Sequence, residues 1–527
     1  MANRKEQNEL FKTIWAIAND LRGAVDGWTF KAYVLGAIFY RYISEDICHY
    51  VAELQAAAGV TDFDYSAMSD EEAKTAHDMI VDEKGYFILP SQLFKNVLKT
   101  ADQDENLNNR LSKIFRDIEN SPGDKPSKVK IAGLFSDFAV DSTQIGSTVN
   151  LRNKLLAKLL HRVDEMKLSQ NIEDNKNDVF GDAYEYLMKM YASKAGKSGG
   201  EFFTPQEVSE LLAEIAAWGT NDIKKVYDPA CGSGSLLLKF QKIHGRKLEG
   251  LKFYGQEINP TTYNLCRSNM FLHHVNYNDF DIQLSDTLLD PRHIDMVIGG
   301  KGPFDCIVSN PPYSLKWIGK ENPLLMNDPR FADAGVLAPP SAADLAFTLH
   351  MYYHLKDSGC CAIVEFPGVL YRGGAEQKIR EYLIKENAVD CIIQLPANLF
   401  FGDVTIATCI IVLKKQGRRA GDNKVLFIDA SREFVKEGAK NYLSETNQKT
   451  ILDYYKNRKD KQYACKLVTT DEIIANDCNL SVSSYVEQPD TREKIDIKAV
   501  NASLKQLIVD GNALNEKIDN IIKEMEG

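Results

Sequence analysis

The spacing of apolar residues divides the chain into three stretches. Up to about residue 165 the period is helical. In "LFKTIWAIANDL", Leu10, Ile14, Ile17 and Leu21 recur at three- and four-residue intervals, which predicts an amphipathic helix. "FKAYVLGAIFYRYISEDICHYVAEL" predicts a longer and more buried one. Ser69 followed by Glu72 in "SDEEAKTAHDMI" forms a capping-box pattern. Between about 220 and 415, short apolar runs alternate with helical stretches. The runs are "KKVYDPA", "LKFYGQEI", "FDIQLSD", "FDCIVSN", "CCAIVEFP", "VDCIIQLP" and "ATCIIVLKK". Continuous apolar runs between helices predict a parallel sheet covered on both faces. The polar "KKQGRRAGDNK" reads as a boundary, followed by one more strand, "KVLFIDA", and polar helices.

The fold class expected is therefore α/β. A helical N-terminal domain covers 1–165, a doubly wound, mostly parallel seven-stranded sheet with a Rossmann-like course covers 166–420, and a helical tail covers 421–527. The tail ends in a helix over about 498–526. There Val500, Leu504, Leu507, Leu514, Ile518, Ile521 and Met525 alternate at four and three residues, with Gly511 on the remaining seam position. That is a coiled-coil-like seam, which fits either a terminal helix packed on its own domain or, the reading preferred here, docking onto a helix of another subunit.

Composition narrows the class. With 527 residues, 44% hydrophobic and 26% charged, the chain is an ordinary globular protein of more than one domain. No run of about eighteen apolar residues occurs, and the start "MANRKEQNELFKTIW" lacks a signal pattern. A cytoplasmic protein without a membrane association is expected. The ten cysteines include no C-x-x-C pair, which suits reduced thiols in a core. A formal net charge of −11 argues against strong unaided binding to nucleic acid, because that affinity rests on phosphate neutralisation. Nucleic acid presented by a basic partner is still compatible with it.

Three motifs carry chemistry. "VYDPACGSGSLLLKF" reads as a strand, Asp228-Pro229, a turn of Gly232, Ser233, Gly234 and Ser235, and then a helix. Small residues let a ligand approach the backbone, and the helix start offers unpaired N–H groups. Leu237 stands where a dinucleotide fingerprint has its third glycine, and there is no G-x-x-x-x-G-K-[ST] phosphate loop. Glu257 ends the next strand, where a carboxylate can accept both hydroxyls of a ribose. "GGEFFTPQEVSELL" predicts a helix with Thr204 at its cap and Pro205 in its first turn. Finally "FDCIVSNPPYS" runs from a strand into Asn310-Pro311-Pro312-Tyr313. Proline is excluded from central strands, so this loop lies at the carboxyl end of one, where open parallel sheets bind ligands. The Asn310 side-chain carbonyl and the Pro311 backbone carbonyl can together hold an exocyclic –NH2. Tyr313 can stack on the ring that bears it, worth about 1–3 kcal/mol. Hydrogen bonds to both amine protons localise a lone pair otherwise delocalised into the ring. An activated methyl donor then needs positioning and electrostatics more than a strong base.

With these motifs in view, the chain resembles the DNA adenine-N6 methyltransferases, and over nearly its whole length the modification subunit of type I restriction-modification systems. "DVFGDAYEYLMKMYA", "LSDTLLD" and "ADLAFTLHMYYHLK" share the resemblance. It implies S-adenosylmethionine as cofactor, bordered by Glu201, Phe202, Phe203, Thr204, Pro205 and Gln206, by Gly232 to Ser235, and by Asp228 near the amino-acid end. Glu257 would hold the ribose and Asp286 would lie beside the cofactor adenine. Asn310, Pro311, Pro312 and Tyr313 would grip an adenine flipped out of double-stranded DNA. The resemblance also implies a separate specificity subunit, with two copies of this chain per complex, and a restriction subunit. Cys231 departs mildly from the small residue usual in relatives.

Other readings are weaker. His350 and His354 stand at i and i+4 without an adjoining acid of zinc-enzyme spacing, so no metal is expected. Lys194 and Lys197 could touch DNA phosphate or merely face solvent. A protein-glutamine methyltransferase shares N-P-P-Y, since an amide also presents –NH2, but such chains are shorter and lack the helical domain and "EFFTP". A catalytically silent scaffold for a DNA-binding subunit would predict a broken glycine turn or a lost Asn310.

Overall fold

The computed structural model describes Lys12, Trp15 and residues 27–166, 168, 179–194, 204–220, 222–245, 248–400, 407–415, 422–438, 440–488 and 496–527. The helix predicted over 10–21 lies, apart from Lys12 and Trp15, outside the described residues, as do Lys197, Glu201, Phe202 and Phe203. The longer helices are α1 (Gly27–Ala57), α2 (Leu107–Asn120), α3 (Val149–Asp164), α4 (Val179–Lys194), α5 (Gln206–Ala217), α6 (Ser235–His244), α7 (Pro260–Leu272), α8 (Asp344–His354), α9 (Ala375–Lys385), α10 (Glu445–Asn457) and α11 (Ile497–Glu526). None of the described helices is long and apolar enough to cross a membrane.

The main sheet holds β1 (Lys225–Asp228), β2 (Lys252–Glu257), β3 (Phe280–Leu284), β4 (Phe304–Ser309), β5 (Leu355–Glu365), β6 (Val389–Gln394), β7 (Cys409–Lys414), β8 (Lys424–Asp429) and β11 (Cys465–Thr469). A separate antiparallel pair is formed by β9 (Val435–Glu437) and β10 (Lys440–Tyr442). The order in the main sheet is β11-β8-β6-β7-β5-β4-β1-β2-β3. β7 runs antiparallel to β5 and β6, β11 runs antiparallel to β8, and the remaining pairings are parallel.

The sheet therefore has nine strands where the sequence predicts seven. "KVLFIDA", read as part of the tail, is β8 and pairs in parallel with β6, Ile392 opposite Phe427. The reason is burial: Val425, Leu426, Phe427 and Ile428 are all fully buried, which requires a cover on both faces and a strand beside them. β11 then closes the edge.

Alternate strand residues feed two cores. Cys306 and Val308 of β4, Cys391 and Ile393 of β6, and Leu426 and Ile428 of β8 face one of them. Ile307, Ile392, Val425 and Phe427 face the other. The first core is continuous with α5, α6, α7 and α10 and with the helical N-terminal region; the second is filled by α8 and α9. The register shift between Val389 and Cys391, an extra residue on β6, turns Val389 to the second core.

The N-terminal region is helical as predicted, and the Ser69–Glu72 capping box forms reciprocally. α1 buries Ile38, Ile43 and Ile47, each contributing roughly 1.5–3 kcal/mol. The region is joined to the sheet mainly through α7 and its flanks. Tyr42 donates its hydroxyl to the Phe271 carbonyl at 2.7 Å. Arg267, 2% exposed, donates to the carbonyls of Val129, Lys130 and Ala132. Gly181 explains why "DVFGDAYEY" needs a glycine: a Cβ there would lie 2.5–2.7 Å from the His273 ring. Residues up to Val486 form one compact unit. Residues 487–527 form the second, in which α11 is capped by Asp496 and has no buried residue.

Candidate active site

The strand order reverses at β1, whose neighbours are β2 on one side and β4 on the other. That crevice, at the carboxyl ends of β1 and β4, is where doubly wound sheets bind ligands. Asp228 ends β1 and is fully buried. Its Oδ1 accepts from Ser309 Oγ at 2.7 Å and from the Ala230 N–H at 3.0 Å. Ser309 is the last residue of β4, so this bond joins the two strand tips. Burial pushes the Asp228 carboxyl up to about 7, partly offset by those bonds.

The glycine turn follows. Gly232 and Gly234 have φ of 53° and 80°, a region that glycine enters without cost. A Cβ on Gly234 would lie 2.8 Å from Cys266 Sγ. Glu257, at the tip of β2, accepts from the Gly232 N–H at 3.0 Å and the Asn259 N–H at 2.8 Å, tying the second strand to the turn. Burial raises its pKa, and the backbone bonds pull it back. Cys231 is accommodated because β2 has a glycine behind it: a Cβ on Gly255 would meet Cys231 Sγ at 2.9 Å.

Among the described residues, Asp228 Oδ2, Ser233 Oγ and Asn269 Oδ1 are buried around the turn without a hydrogen-bond partner. Asn269, on α7, also donates to the Ser233 carbonyl at 3.1 Å. Orphaned buried acceptors beside a turn of small residues fit a polar, cationic ligand. Asp286 receives the N–H groups of Leu288 and Leu289 on Oδ1 at 2.8 and 3.1 Å, and so shapes the segment after β3. Thr287 donates to the Pro229 carbonyl at 2.5 Å, bringing that segment against the turn.

The N-P-P-Y loop leaves β4 beside this crevice. Asn310 Nδ2 donates to Thr204 Oγ1 at 3.1 Å, and Asn310 Oδ1 accepts from the Tyr313 hydroxyl. Thr204 is not the helix cap that the sequence predicts. The helix starts at Gln206, Pro205 stands at its cap position, and the buried threonine faces Asn310 instead. Gln206 donates to Glu185 Oε2 of α4 at 3.0 Å. Tyr313 is half-buried, with its ring edge-on to Phe400 at 6.4 Å.

The structure thus brings together Thr204, Asp228, the glycine turn, Glu257, Asp286 and the N-P-P-Y loop. Sequence reading missed Ser309, Thr287, Asn269 and Asp344. Ser309 had a visible signal, a hydroxyl at the end of an otherwise apolar strand; so had Asp344, a lone acid opening the apolar "LAFTLHMYY". His350 and His354 are structural: His350 bonds Tyr227 Oη at 3.0 Å and Arg330 at 3.1 Å, and His354 Nδ1 bonds the His350 carbonyl at 2.8 Å.

Comparison with known proteins agrees. The family described as N-6 DNA Methylase matches residues 175–494, and the HsdM N-terminal domain family matches residues 10–163. The type I restriction enzyme MpnII methylase subunit of Mycoplasma pneumoniae is 46% identical over 99% of this chain and 97% of its own length. The MjaVIII methylase subunit of Methanocaldococcus jannaschii is 31% identical over 79% of this chain and 72% of its own. A crystal structure of the type I restriction-modification methyltransferase subunit from Streptococcus thermophilus superposes with a TM-score of 0.80 at 35% identity, covering 91% of this chain and 100% of that one.

Proposed function

Because this chain belongs to the N-6 DNA methylases, among the methylase subunits of type I restriction enzymes, we propose that it methylates adenine N6 in DNA at Asn310-Pro311-Pro312-Tyr313. The observation that carries this reading is the bond from Ser309 Oγ to Asp228 Oδ1, which sets the N-P-P-Y loop against the glycine turn.

S-adenosylmethionine, when bound, supplies a methyl on a sulfonium. Asp228 Oδ2, Ser233 Oγ and Asn269 Oδ1 fit its polar and cationic end, and Glu257 its ribose. Asp286 borders its adenine, with Thr204, Pro205 and Gln206 along one side. The target adenine, flipped from the duplex, offers two N6 hydrogens to Asn310 Oδ1 and to the Pro311 carbonyl. Pro312 has no N–H to compete for acceptors. Tyr313 stacks on the base, and its hydroxyl keeps Asn310 Oδ1 satisfied and aimed until the amine arrives. N6 would form the new N–C bond with its localised lone pair as the methyl–sulfur bond breaks to leave a neutral thioether, and would then lose one proton to solvent water.

The net charge of −11 supports delegation of DNA recognition to a separate specificity subunit. Two copies of this chain per specificity subunit, together with a restriction subunit, make the assembly, and the seam of α11 supports a helical dock. The full chain with its specificity subunit is assayed with tritiated cofactor on unmethylated genomic DNA. Label in N6-methyladenine, abolished by Asn310→Ala, is expected; label on cytosine, or full activity of Asn310→Ala, overturns the proposal.

A further inference from the structure

Ser314, immediately after Tyr313, has φ of 52° although it is not a glycine. L-residues rarely adopt this left-handed conformation unless their surroundings hold them there. The holding group is Asp344. Its two carboxylate oxygens lie 3.0 and 3.1 Å from the Ser314 amide nitrogen. Asp344 is 1% exposed and is the first residue of α8, a position where the helix dipole favours a carboxylate. One turn on, Thr348 donates to the Asp344 carbonyl at 3.4 Å and to Glu365 Oε1 at 3.1 Å. Glu365 is fully buried at the end of β5, which ties α8 to the sheet beneath the loop.

The N-P-P-Y loop is therefore pinned at both ends. Asn310 is fixed by Thr204 on one side, and Ser314 by Asp344 on the other. Tyr313 lies between the two pins, and the backbone exit at Ser314 sets the direction of its ring. Building on the assignment of this loop to the target base, we infer that Asp344 is a positioning residue for methyl transfer. By holding Ser314 in the left-handed conformation, it fixes the plane on which the flipped adenine stacks. Asp344 acts through backbone geometry, both its carboxylate oxygens being engaged by the Ser314 amide.

This role makes an unusual demand. If the function of Asp344 is to impose a positive φ on residue 314, glycine at 314 should make the aspartate largely dispensable, because glycine enters that region freely. The experiment uses the full chain with its specificity subunit, single-turnover transfer of tritiated methyl to unmethylated genomic DNA, and calorimetric affinity for S-adenosylmethionine. Asp344→Ala is expected to slow transfer on the order of 100-fold, the scale of a misplaced reacting group, while cofactor affinity stays within threefold. Adding Ser314→Gly is expected to recover at least tenfold of that loss. If Asp344→Ala does not give folded protein, the same pair of measurements is made on Asp344→Asn, where a smaller loss and the same rescue are expected. Transfer by the aspartate variant within twofold of the parent overturns the inference and leaves the assignment of the site intact. A loss that Ser314→Gly does not relieve overturns it as well. An inactive parent overturns both.

Discussion

The amide of Asn310 donates to the hydroxyl of Thr204 across 106 positions of sequence. This bond fixes which way the asparagine amide is turned, leaving Oδ1 for a donor and directing Nδ2 away from the substrate. Without it, the amide can rotate by 180° and present N–H groups where an acceptor is needed. Thr204→Val keeps the shape and removes the acceptor. Single-turnover methyl transfer should fall about fivefold, in line with the ~1 kcal/mol that a neutral hydrogen bond contributes. Unchanged single-turnover rates would show that the amide is oriented by something else.

Asp228 makes cofactor binding depend on pH. Burial pushes its carboxyl up to about 7 in the free protein. A cation placed beside it favours the ionised form, so below that pH binding must expel a proton. Affinity for S-adenosylmethionine should rise about tenfold per pH unit from 5 toward 7 and then level off. Asp228→Asn removes this component, so the ratio of parent to variant affinity, measured by calorimetry between pH 5.5 and 8.5, isolates it. Parallel profiles for the two proteins would contradict the assignment of Asp228 to the cationic end.

Gly255 and Cys231 form a matched pair. A methyl group on Gly255 would approach Cys231 Sγ and Ile282 Cδ1 to 2.9 Å, and overpacking of this kind costs about 1–3 kcal/mol. Gly255→Ala should lower the thermal midpoint, and Cys231→Ala in the same chain should restore part of the loss. Additive losses in the double variant, read by calorimetry, would mean that the thiol is not the obstacle.

Burial of His354 makes the stability of the fold depend on pH. Burial lowers the pKa of His354 to about 3, below its unfolded value near 6.5. The unfolded chain therefore binds the proton first, and stability is lost as pH falls below 6.5. His354→Asn keeps a donor for the His350 carbonyl and cannot titrate. Relative to that variant, the parent should lose about 2 kcal/mol between pH 6.5 and 5, at roughly 1.4 kcal/mol per pH unit. Denaturant unfolding at the two pH values measures it; an equal pH response in both proteins would remove His354 from the account.

How much of this was legible in the sequence follows from the range of each interaction. The glycine turn, the strand ends and N-P-P-Y are local patterns, and all proved to lie at one crevice. β1 to β7 were visible from their apolar residues: β4 and β7, buried on both faces, read as unbroken runs, while β3 shows itself by Phe280 and Ile282 alternating with polar residues. β11 was not: Cys465 and Val468 are buried, but Lys466 is exposed, so it reads as an irregular polar stretch. β8 was seen but given to the tail, since its partner β6 lies 35 positions earlier and pairing leaves no trace in either segment alone. Thr204 looked like a helix cap because Thr-Pro before an apolar helix usually is one. Its actual partner is a residue that only the sheet brings near. Arg330 was invisible for the same reason: in sequence it sits in a polar loop, yet it is 4% exposed and donates to the carbonyls of Thr287 and Leu288.

The terminal helix α11 keeps Leu504, Leu507, Leu514, Ile518 and Ile521 at 47–67% exposure along one seam. A stripe of that kind is an aggregation liability for any molecule that carries it uncovered. Copies of this chain whose seam stays uncovered would be prone to stick to one another, so a partner that covers it would also act against self-association.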